Sequence, residues 1–275
     1  MKYVFVLAQL KAEPTPEETL EKSRRAVIKA KMDYNADFIV FPESFMFHKP
    51  PGTDRQIILD TAQHIDGEFV TSMSDLAKEC EIWMVFGMSE LPEDESDDRN
   101  YNSTMLVNNE GEIISIYRKT HMYDTFTEKE SDILKPGDKL FEPIDTPFGK
   151  LGMLVCYELR FPEIVLSQAL KDAEIFIVPS AWNRDDLKLL HWNALLIARA
   201  VENSVYVLAC NQYSNEFMGE SAVVDPSGNM IAHSIEGECL IPCFIDTERV
   251  SERRKTFPSF KLSRRPELYG FEKDS

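Results

Sequence analysis

The sequence has few basic residues for its length, and this deficit excludes a class of partners. Its 275 residues contain 30 lysines and arginines against 47 aspartates and glutamates, a formal net charge of −17. A surface that binds nucleic acid needs clustered lysine and arginine, so nucleic acid is not an expected partner.

Long apolar runs and a leader-like segment are also lacking. No apolar run approaches the roughly 18 residues that a membrane span requires. Residues 3–10 are apolar but lack a cleavage motif, and they predict a first strand rather than a signal peptide. The five cysteines are odd in number and lie mostly inside apolar segments. Reduced thiols in a cytoplasmic protein without membrane contact fit this pattern better than a disulfide framework.

The sequence lacks the patterns that hold metals and nucleotides. Its five histidines show no zinc-ligand spacing, and no Gly-rich phosphate loop is present. We therefore expect no metal and no cofactor. Cys239 and Cys243 lie in a predicted strand and are interpreted as paired core thiols. Ser180 lacks the Gly- and Ser-rich surroundings of a serine amidase nucleophile.

Strand-like apolar runs alternate with helical patterns along most of the chain. Thr15, Pro16 and Glu18 form a capping box with proline at the first helical position, and the helix is predicted to end near Asn35. The unbroken apolar run at residues 175–178 predicts a strand covered on both faces. The predicted helices span about residues 16–35, 68–80, 162–171 and 186–203, and the predicted strands span residues 4–8, 38–41, 82–88, 104–107, 112–118, 151–155, 175–178, 205–210, 221–224, 229–233 and a segment at 239–243.

Two predicted hairpins resemble each other and suggest an internal duplication. They turn through residues 108–111 and 225–228, which carry the Asn, Asp, Pro and Gly residues that such turns need. Two related halves, each a sheet with helices on one side, predict an α/β protein in which sheet packs on sheet with helices outside. No linker is evident, so residues 1–275 are expected to form one domain. Residues 249–275 are predicted to be a charged, irregular tail that contacts a partner subunit or the domain itself.

Three reactive side chains each follow a predicted strand. Glu43, Lys119 and Cys156 supply a carboxylate, an ammonium and a thiol. Cysteine-based acyl transfer needs these three groups, because the thiol requires a base and the developing oxyanion requires positive charge.

Each of the three has an ordinary alternative role. A cysteine ending an apolar run is more often a core residue, but polar residues follow Cys156 and a helix opens at Pro162, whose field is expected to lower the thiol pKa. A Pro-Glu pair can cap a turn, but the apolar residues 45–47 are expected to raise the pKa of Glu43. A lysine after a strand is usually solvated, and Arg118 and His121 are neighbouring residues that could also supply positive charge.

Several short segments together resemble the nitrilase, or carbon–nitrogen hydrolase, superfamily. Three of them contain the reactive residues: Phe41-Pro42-Glu43, Tyr117-Arg118-Lys119-Thr120-His121 and Cys156-Tyr157-Glu158-Leu159-Arg160-Phe161-Pro162-Glu163. Further matches lie at residues 136–138, 178–182, 191–192, 199–203 and 264–269, so the resemblance runs nearly from end to end.

The resemblance implies a four-layer α-β-β-α sandwich with a Glu-Lys-Cys triad. Glu43 would act as the proton carrier, Lys119 and the backbone N–H of Tyr157 would stabilise the oxyanion, and Cys156 would form a thioester. A second glutamate is expected to hold the lysine. Its distance before residues 136–138 favours Glu130, with Glu128 as the competing choice.

The residues after the nucleophile resemble the small-amide hydrolase branch, which includes omega-amidases and deaminated-glutathione amidases. The expected reaction releases ammonia and a carboxylic acid from a small amide. A carbamoylase, a nitrilase or a silent binding module on the same fold remain alternatives, and a homodimer or higher oligomer is expected. Four residues are candidates for binding the substrate: Trp182, Arg184, Lys188 and His191. If the substrate carries a carboxylate, as omega-amidase substrates do, a cation must face it, and Arg184 and Lys188 are the candidates, although residues 183–188 depart from the omega-amidase pattern and solvated loop charges are the alternative for both.

Overall fold

The computed structural model describes residues 2–50, 52–93, 98–125, 129–234 and 236–257. The α-helices are α1 (Pro16–Tyr34), α2 (Arg55–Thr61), α3 (Glu68–Glu79), α4 (Pro162–Ala169), α5 (Asp186–Asn203) and α6 (Glu248–Thr256). The strands are β1 (Tyr3–Gln9), β2 (Phe38–Val40), β3 (Trp83–Glu90), β4 (Tyr101–Val107), β5 (Ile113–Arg118), β6 (Ile144–Thr146), β7 (Gly149–Met153), β8 (Ile175–Ser180), β9 (Tyr206–Asn211), β10 (Ala222–Val224), β11 (Met230–His233) and β12 (Cys239–Ile245).

Helix α1 begins and ends as its sequence predicts. The Thr15 side chain accepts a hydrogen bond from the Glu18 backbone N–H at 3.2 Å, and Pro16 is the first helical residue. Asn35 ends the helix in the left-handed conformation with φ of 50°. The predicted N-cap and helix end are confirmed, but only half of the capping box is formed, because the Glu18 carboxylate accepts from the Thr15 hydroxyl at 3.4 Å and not from the Thr15 backbone N–H.

The strands form two six-stranded sheets with the same arrangement of parallel and antiparallel neighbours. The first has the order β12-β1-β2-β3-β4-β5 and the second β11-β10-β9-β8-β7-β6. In the first sheet β1, β2 and β3 are parallel, β4 and β5 continue from β3 as antiparallel strands, and β12 lies antiparallel beside β1. In the second sheet β7, β8 and β9 are parallel, β10 and β11 continue from β9 as antiparallel strands, and β6 lies antiparallel beside β7. The two related halves expected from the sequence are therefore visible in the topology.

Alternating side chains of the first sheet face two separate cores. Phe5, Phe38 and Trp83 lie in the cluster between the sheets, whereas Val6 and Ile39 lie in the cluster beneath α1 and α3. In β8 every residue from Ile175 to Val178 is buried, because α4 and α5 cover the outer face of the second sheet. The layers are helix, sheet, sheet and helix, which confirms the expected sandwich.

Some predicted elements differ from the structure. The strand predicted at residues 151–155 ends at Met153, and a 3₁₀ helix begins at Cys156. Part of the tail predicted to be irregular from residue 249 is helix α6, whose Val250 side chain is buried. The rest of that tail, at residues 258–275, lies outside the described residues.

The structure also bears on the cysteines and on membrane contact. All five cysteines lie in the described residues and none forms a disulfide bond. Cys239 and Cys243 both lie on β12, but the Cys243 thiol lies near the Phe5 carbonyl and the Cys239 thiol near the Ser234 hydroxyl. None of the helices in the described part of the chain combines the length and apolarity needed to span a bilayer.

Candidate active site

The fold brings Glu43, Lys119 and Cys156 to one edge of the two sheets. Glu43 lies in the loop after β2, Lys119 directly follows β5, and Cys156 follows β7. The carboxyl ends of parallel strands in both sheets meet at this edge, where α/β proteins commonly build their sites. The three side chains line one cavity of about 490 Å³.

The Glu43 carboxylate is held by donors from three segments. One oxygen, Oε1, accepts hydrogen bonds from Asn102 Nδ2 at 2.8 Å and from Lys119 Nζ at 3.0 Å. The other, Oε2, accepts from the Ala181 backbone N–H at 2.8 Å. The apolar wall expected beside Glu43 is only partly there, since Phe47 lines the cavity while residues 45 and 46 pack into the core.

Lys119 forms a buried ion pair with two carboxylates. Its Nζ lies 3.0 Å from Glu43 Oε1 and 2.8 Å from Glu130 Oε2. Burial disfavours the ammonium, but the charges of Glu43 and Glu130 outweigh this and raise the pKa of Lys119 well above its ordinary value. Lys119 is therefore a fixed cation. Glu128, the competing choice for the second glutamate, lies outside the described residues.

Cys156 is nearly buried and its backbone is strained. The residue is 9% exposed and has a φ of 48°, a left-handed conformation that costs a non-glycine residue about 1 kcal/mol or more. Burial and the charge of Glu43 raise the pKa of the thiol well above its usual value, against a smaller opposing effect of Lys119. The lowering expected from a nearby helix start is not observed. A 3₁₀ helix (Cys156–Arg160) separates the thiol from the start of α4 at Pro162, and burial together with the neighbouring Glu43 carboxylate opposes ionisation of the thiol.

Glu158 connects the segment that carries Cys156 to the segment that carries Lys119. Its fully buried carboxylate accepts hydrogen bonds from the Tyr117 hydroxyl at 2.8 Å, the Thr120 backbone N–H at 2.8 Å and the Val155 backbone N–H at 2.8 Å. Burial favours the neutral carboxyl, but the hydrogen bonds donated by His121, Thr120 and Val155 outweigh it and lower the pKa of Glu158.

The backbone N–H of Tyr157 is available at the start of the 3₁₀ helix. The first helical hydrogen bond runs from the Glu158 N–H to the Val155 carbonyl at 3.0 Å, so Tyr157 precedes the first donor used within the helix. Tyr157 lines the cavity beside Cys156. A donor here and the Lys119 ammonium are two groups that can face an oxyanion formed at the thiol.

The four predicted substrate-binding residues separate into two groups. Trp182 and Lys188 line the cavity, and the Lys188 ammonium donates a hydrogen bond to the Tyr123 hydroxyl at 2.8 Å. Arg184 does not line it, because its guanidinium bonds the carbonyls of Ser214 and Phe217 at 3.1 Å each. His191 is exposed on α5 and does not line it either.

Sequence reasoning missed several residues of this site. Asn102 and Gln212 lie on or beside other strands, and Gln212 Nε2 donates to the Glu43 carbonyl at 2.9 Å. Lys49, Lys129 and Arg160 also line the cavity. Glu158 and Arg160 lie within residues 156–163, a segment that carries the family resemblance, but the sequence does not show what their side chains contact. In the described ranges no three His, Cys, Asp or Glu side chains cluster as metal ligands would.

Comparison with known proteins shows the family. The Carbon-nitrogen hydrolase family matches residues 7–255. The chain is 34% identical over 279 residues to the deaminated glutathione amidase of Mus musculus, covering 97% of this chain and 84% of the relative. It is 34% identical over 281 residues to the omega-amidase NIT3 of Saccharomyces cerevisiae, covering 96% of this chain and 94% of the relative.

Solved structures agree in fold. The crystal structure of Saccharomyces cerevisiae Nit3, a member of branch 10 of the nitrilase superfamily, superposes with a TM-score of 0.84 at 32% identity, covering 96% of this chain and 97% of that one. A carbon–nitrogen hydrolase from Helicobacter pylori superposes with a TM-score of 0.90 at 25% identity, covering 98% and 97%. The chain therefore belongs to the carbon–nitrogen hydrolase family, and it is a hydrolase of the type that cleaves amides through a cysteine.

Proposed function

We propose that the protein hydrolyses a small amide with Cys156 as nucleophile, Glu43 as proton carrier, Lys119 as oxyanion cation and Glu130 as the residue that holds Lys119. The observation that carries this proposal is the meeting of these side chains at one cavity, although they are up to 113 positions apart in the sequence (156 − 43). The names of the relatives add that enzymes of similar sequence are amidases.

The raised thiol pKa defines the first step. Cys156 retains its proton in the free site, so attack on the amide carbonyl is coupled to proton transfer to Glu43. The oxyanion then faces the Lys119 ammonium and the Tyr157 N–H. Glu43 returns the proton to the departing ammonia, and a water activated by the same carboxylate hydrolyses the thioester.

The fixed position of Lys119 supports its role at the oxyanion. An ammonium has three donor hydrogens, and Glu43 and Glu130 orient it from two sides. The charge is then in place before the reaction begins, so no reorganisation is needed when the oxyanion forms.

Ammonia release from a panel of small primary amides, nitriles and N-carbamoyl compounds tests this function. We expect release from amides, and none from Cys156→Ala. Cys80→Ala, which removes a thiol at the end of α3, is the matched control and should retain turnover. Release from nitriles alone or N-carbamoyl compounds alone would favour the alternative branches, and no release from any compound would favour a binding module.

Lys119→Ala tests the oxyanion cation separately. We expect kcat to fall by about a hundred- to a thousandfold, the usual cost of losing one oxyanion donor. Lys139→Ala is the control, because Lys139 is exposed and outside the cavity. Normal turnover by Lys119→Ala would contradict the assigned role.

We also propose three properties of the whole protein. The core between the sheets includes residues from both halves, which supports one domain over residues 1–275. An exposed apolar stripe on α5 supports a homodimer or higher oligomer, to which the tail from residue 249 could contribute. Five thiols outside disulfides support a cytoplasmic location, which fractionation of cells that express a tagged copy would test.

A further inference from the structure

A single residue of β4 holds two members of the triad through different atoms. Asn102 lies on β4, between β3 and β5, and its backbone carbonyl accepts a hydrogen bond from the Lys119 N–H at 2.9 Å. Its side-chain Nδ2 donates to Glu43 Oε1 at 2.8 Å. The same residue therefore fixes the point at which Lys119 leaves the sheet and the direction in which the Glu43 carboxylate is turned.

The alternation of side chains along β4 brings this amide to the site. Asn102 lies on the same face of the strand as Leu106, and Leu106 belongs to the core between the two sheets. The Asn102 side chain is 2% exposed and does not line the cavity. It therefore acts on Glu43 and not on a bound substrate.

The Asn102 amide is held at this place although its oxygen is poorly solvated. Its Oδ1 is buried, and no donor among the described residues reaches it. A buried acceptor without a partner destabilises a protein. The amide cannot turn over to relieve this, because its oxygen would then face a carboxylate oxygen of Glu43. An apolar side chain of similar size would satisfy the fold better, so the amide N–H is there for Glu43.

The two oxygens of the Glu43 carboxylate are occupied unequally. Oε1 accepts from Asn102 Nδ2 and from Lys119 Nζ at 3.0 Å, and these two donors fill its acceptor sites. The described residues give Oε2 one donor, the Ala181 N–H at 2.8 Å. An acceptor site therefore remains on Oε2, where a proton that reaches the carboxylate can bind.

This remaining acceptor site lies on the side of the nucleophile. Burial and the charge of Glu43 raise the pKa of the Cys156 thiol, and the Ala181 N–H is among the groups that oppose this rise. The Ala181 N–H is thus close to the thiol as well as to Oε2. Because two donors already fill Oε1, the thiol proton has its route to Oε2.

We propose that Asn102 positions Glu43 for proton transfer and makes Oε2 the oxygen that carries the proton. This inference rests on the proposed amide hydrolysis. The S–H bond of Cys156 breaks as an O–H bond forms on Oε2 and the sulfur bonds to the amide carbon. The Oε2–H bond then breaks as the departing nitrogen takes the proton. Asn102 donates to Oε1 throughout, because a carboxylate oxygen and the carbonyl oxygen of a carboxylic acid both accept hydrogen bonds.

Asn102→Leu removes the donor with little change in volume. With propanamide and succinamate, a neutral and an anionic primary amide, we expect kcat to fall by about ten- to a hundredfold, the size of one hydrogen bond to a charged group. KM should change little, since Asn102 does not line the cavity. The melting temperature should stay close to that of the wild type, because the variant loses the buried oxygen together with the donor.

Asn102→Asp supplies a readout that a purely structural role would not move. Two buried carboxyl groups in contact hold one proton between them over a wide pH range. Lys119 pairs with Glu43 and not with the introduced carboxyl, so the shared proton resides on that carboxyl, which then donates to Oε1 as the amide does. The ratio of kcat/KM for Asn102→Asp to that for the wild type should therefore fall as pH rises and this proton is lost.

The neighbouring titratable groups do not account for such a fall. Those that act with Glu43 are Lys49, Lys119, Glu130 and Cys156. All four are present in both proteins, so their own titration cancels in the ratio.

Asn108→Asp is the matched control for this experiment. Asn108 directly follows β4 at the end remote from Lys119, and its Nδ2 also donates to a carboxylate, Glu112 Oε2 at 2.7 Å. Neither residue lines the cavity. We expect the kcat/KM of Asn108→Asp to follow that of the wild type at every pH.

The outcomes separate this inference from the function on which it rests. If the wild type hydrolyses an amide and a folded Asn102→Leu keeps its kcat, or if the ratio for Asn102→Asp is flat or rises with pH, Asn102 does not position Glu43 and amide hydrolysis stands. If the wild type releases ammonia from no amide, the proposed function itself is wrong. A ratio that falls with pH for Asn102→Asp and stays constant for Asn108→Asp supports the proposal, even where Asn102→Leu does not fold.

Discussion

At the residue scale, Glu158 helps to hold the site together although it does not line the cavity. It is fully buried, and its hydrogen bonds join the residue before Cys156 to residues on both sides of Lys119 in the sequence. Val155 precedes Cys156 and Thr120 follows Lys119. Glu158 therefore fixes the separation of Cys156 and Lys119, and we assign it a positioning role.

We expect Glu158→Gln to lower the free energy of unfolding by about 3 kcal/mol at pH 7, since hydrogen bonds to a buried charge are lost and an amide NH₂ meets N–H donors. The value of kcat should fall while the pH dependence of the remaining activity stays unchanged. Glu163→Gln is the matched control, because Glu163 is exposed on α4. Equal stability of the two variants in urea unfolding would contradict the assignment.

The difference in stability between the wild type and Glu158→Gln should depend on pH, because the folded protein lowers the pKa of Glu158. Its folded-state pKa is lowered, so its contribution is complete above the unfolded-state value of about 4.3 and is lost as pH falls through the folded-state value. The stability gap between wild type and Glu158→Gln should therefore narrow below about pH 4. A gap of constant size down to pH 2 would show that the stabilisation is steric rather than ionic.

How far the sequence predicts this site depends on whether a residue's role is local. Glu43, Lys119 and Cys156 each follow a recognisable strand, so their arrival at one sheet edge could be predicted. The sequence could not predict that Asn102 and Lys49 belong to the site, or which residues Glu158 contacts. They depend on which strands are neighbours and on how a loop folds back, and neither composition nor spacing contains that information.

At the element scale, the end of β5 is packed so tightly that it tolerates no added atom. The Gly137 N–H donates to the Lys119 carbonyl at 2.8 Å, and a Cβ at Gly137 would lie 2.3 Å from the Arg118 carbonyl oxygen. Glycine is required here because the two backbones approach closely. The segment at residues 136–138 thereby supports the strand end from which Lys119 projects.

Gly137→Ala should therefore displace Lys119 without removing any catalytic group. We expect a loss of about 1–3 kcal/mol in stability, typical of overpacking, together with a fall in kcat. Lys139→Ala, two residues further along, lies in solvent and should change neither quantity. Thermal unfolding and ammonia release measure both effects, and a fully active Gly137→Ala would show that this contact does not position Lys119.

Elements with strong local signals were predicted most closely. Helix α5 begins and ends where the sequence places it, with Asp185 as its N-cap. The short edge strand β6 and the helix α2 were not predicted, because three to seven residues of mixed polarity give little periodic signal. The true end of β7 was also missed, since the apolar run continues through Val155 after the strand has ended.

At the scale of the whole molecule, helix α5 has two faces of different character. Trp192, Leu196 and Ala200 are buried against the second sheet, while Leu187, Leu190, Ala194, Ile197 and Val201 form an exposed apolar stripe on the other side. The stripe runs along one helix, and Leu187 and Leu190 are its most exposed members at 65% and 63%. A second copy of the same helix provides an apolar partner of matching length.

Leu190→Glu tests this association. Leu190 is 63% exposed and lies within the stripe, so a charge there costs little in the monomer and is unfavourable in an apolar interface. In sedimentation velocity we expect the wild type to sediment as a dimer or larger species and Leu190→Glu to shift towards the monomer at equal concentration. Met32→Glu on α1 is the control, because Met32 is 80% exposed on the outer face of the opposite layer. A wild-type monomer, or an equal shift in both variants, would contradict association through α5; a shift confined to Leu190→Glu makes this helix the contact between subunits.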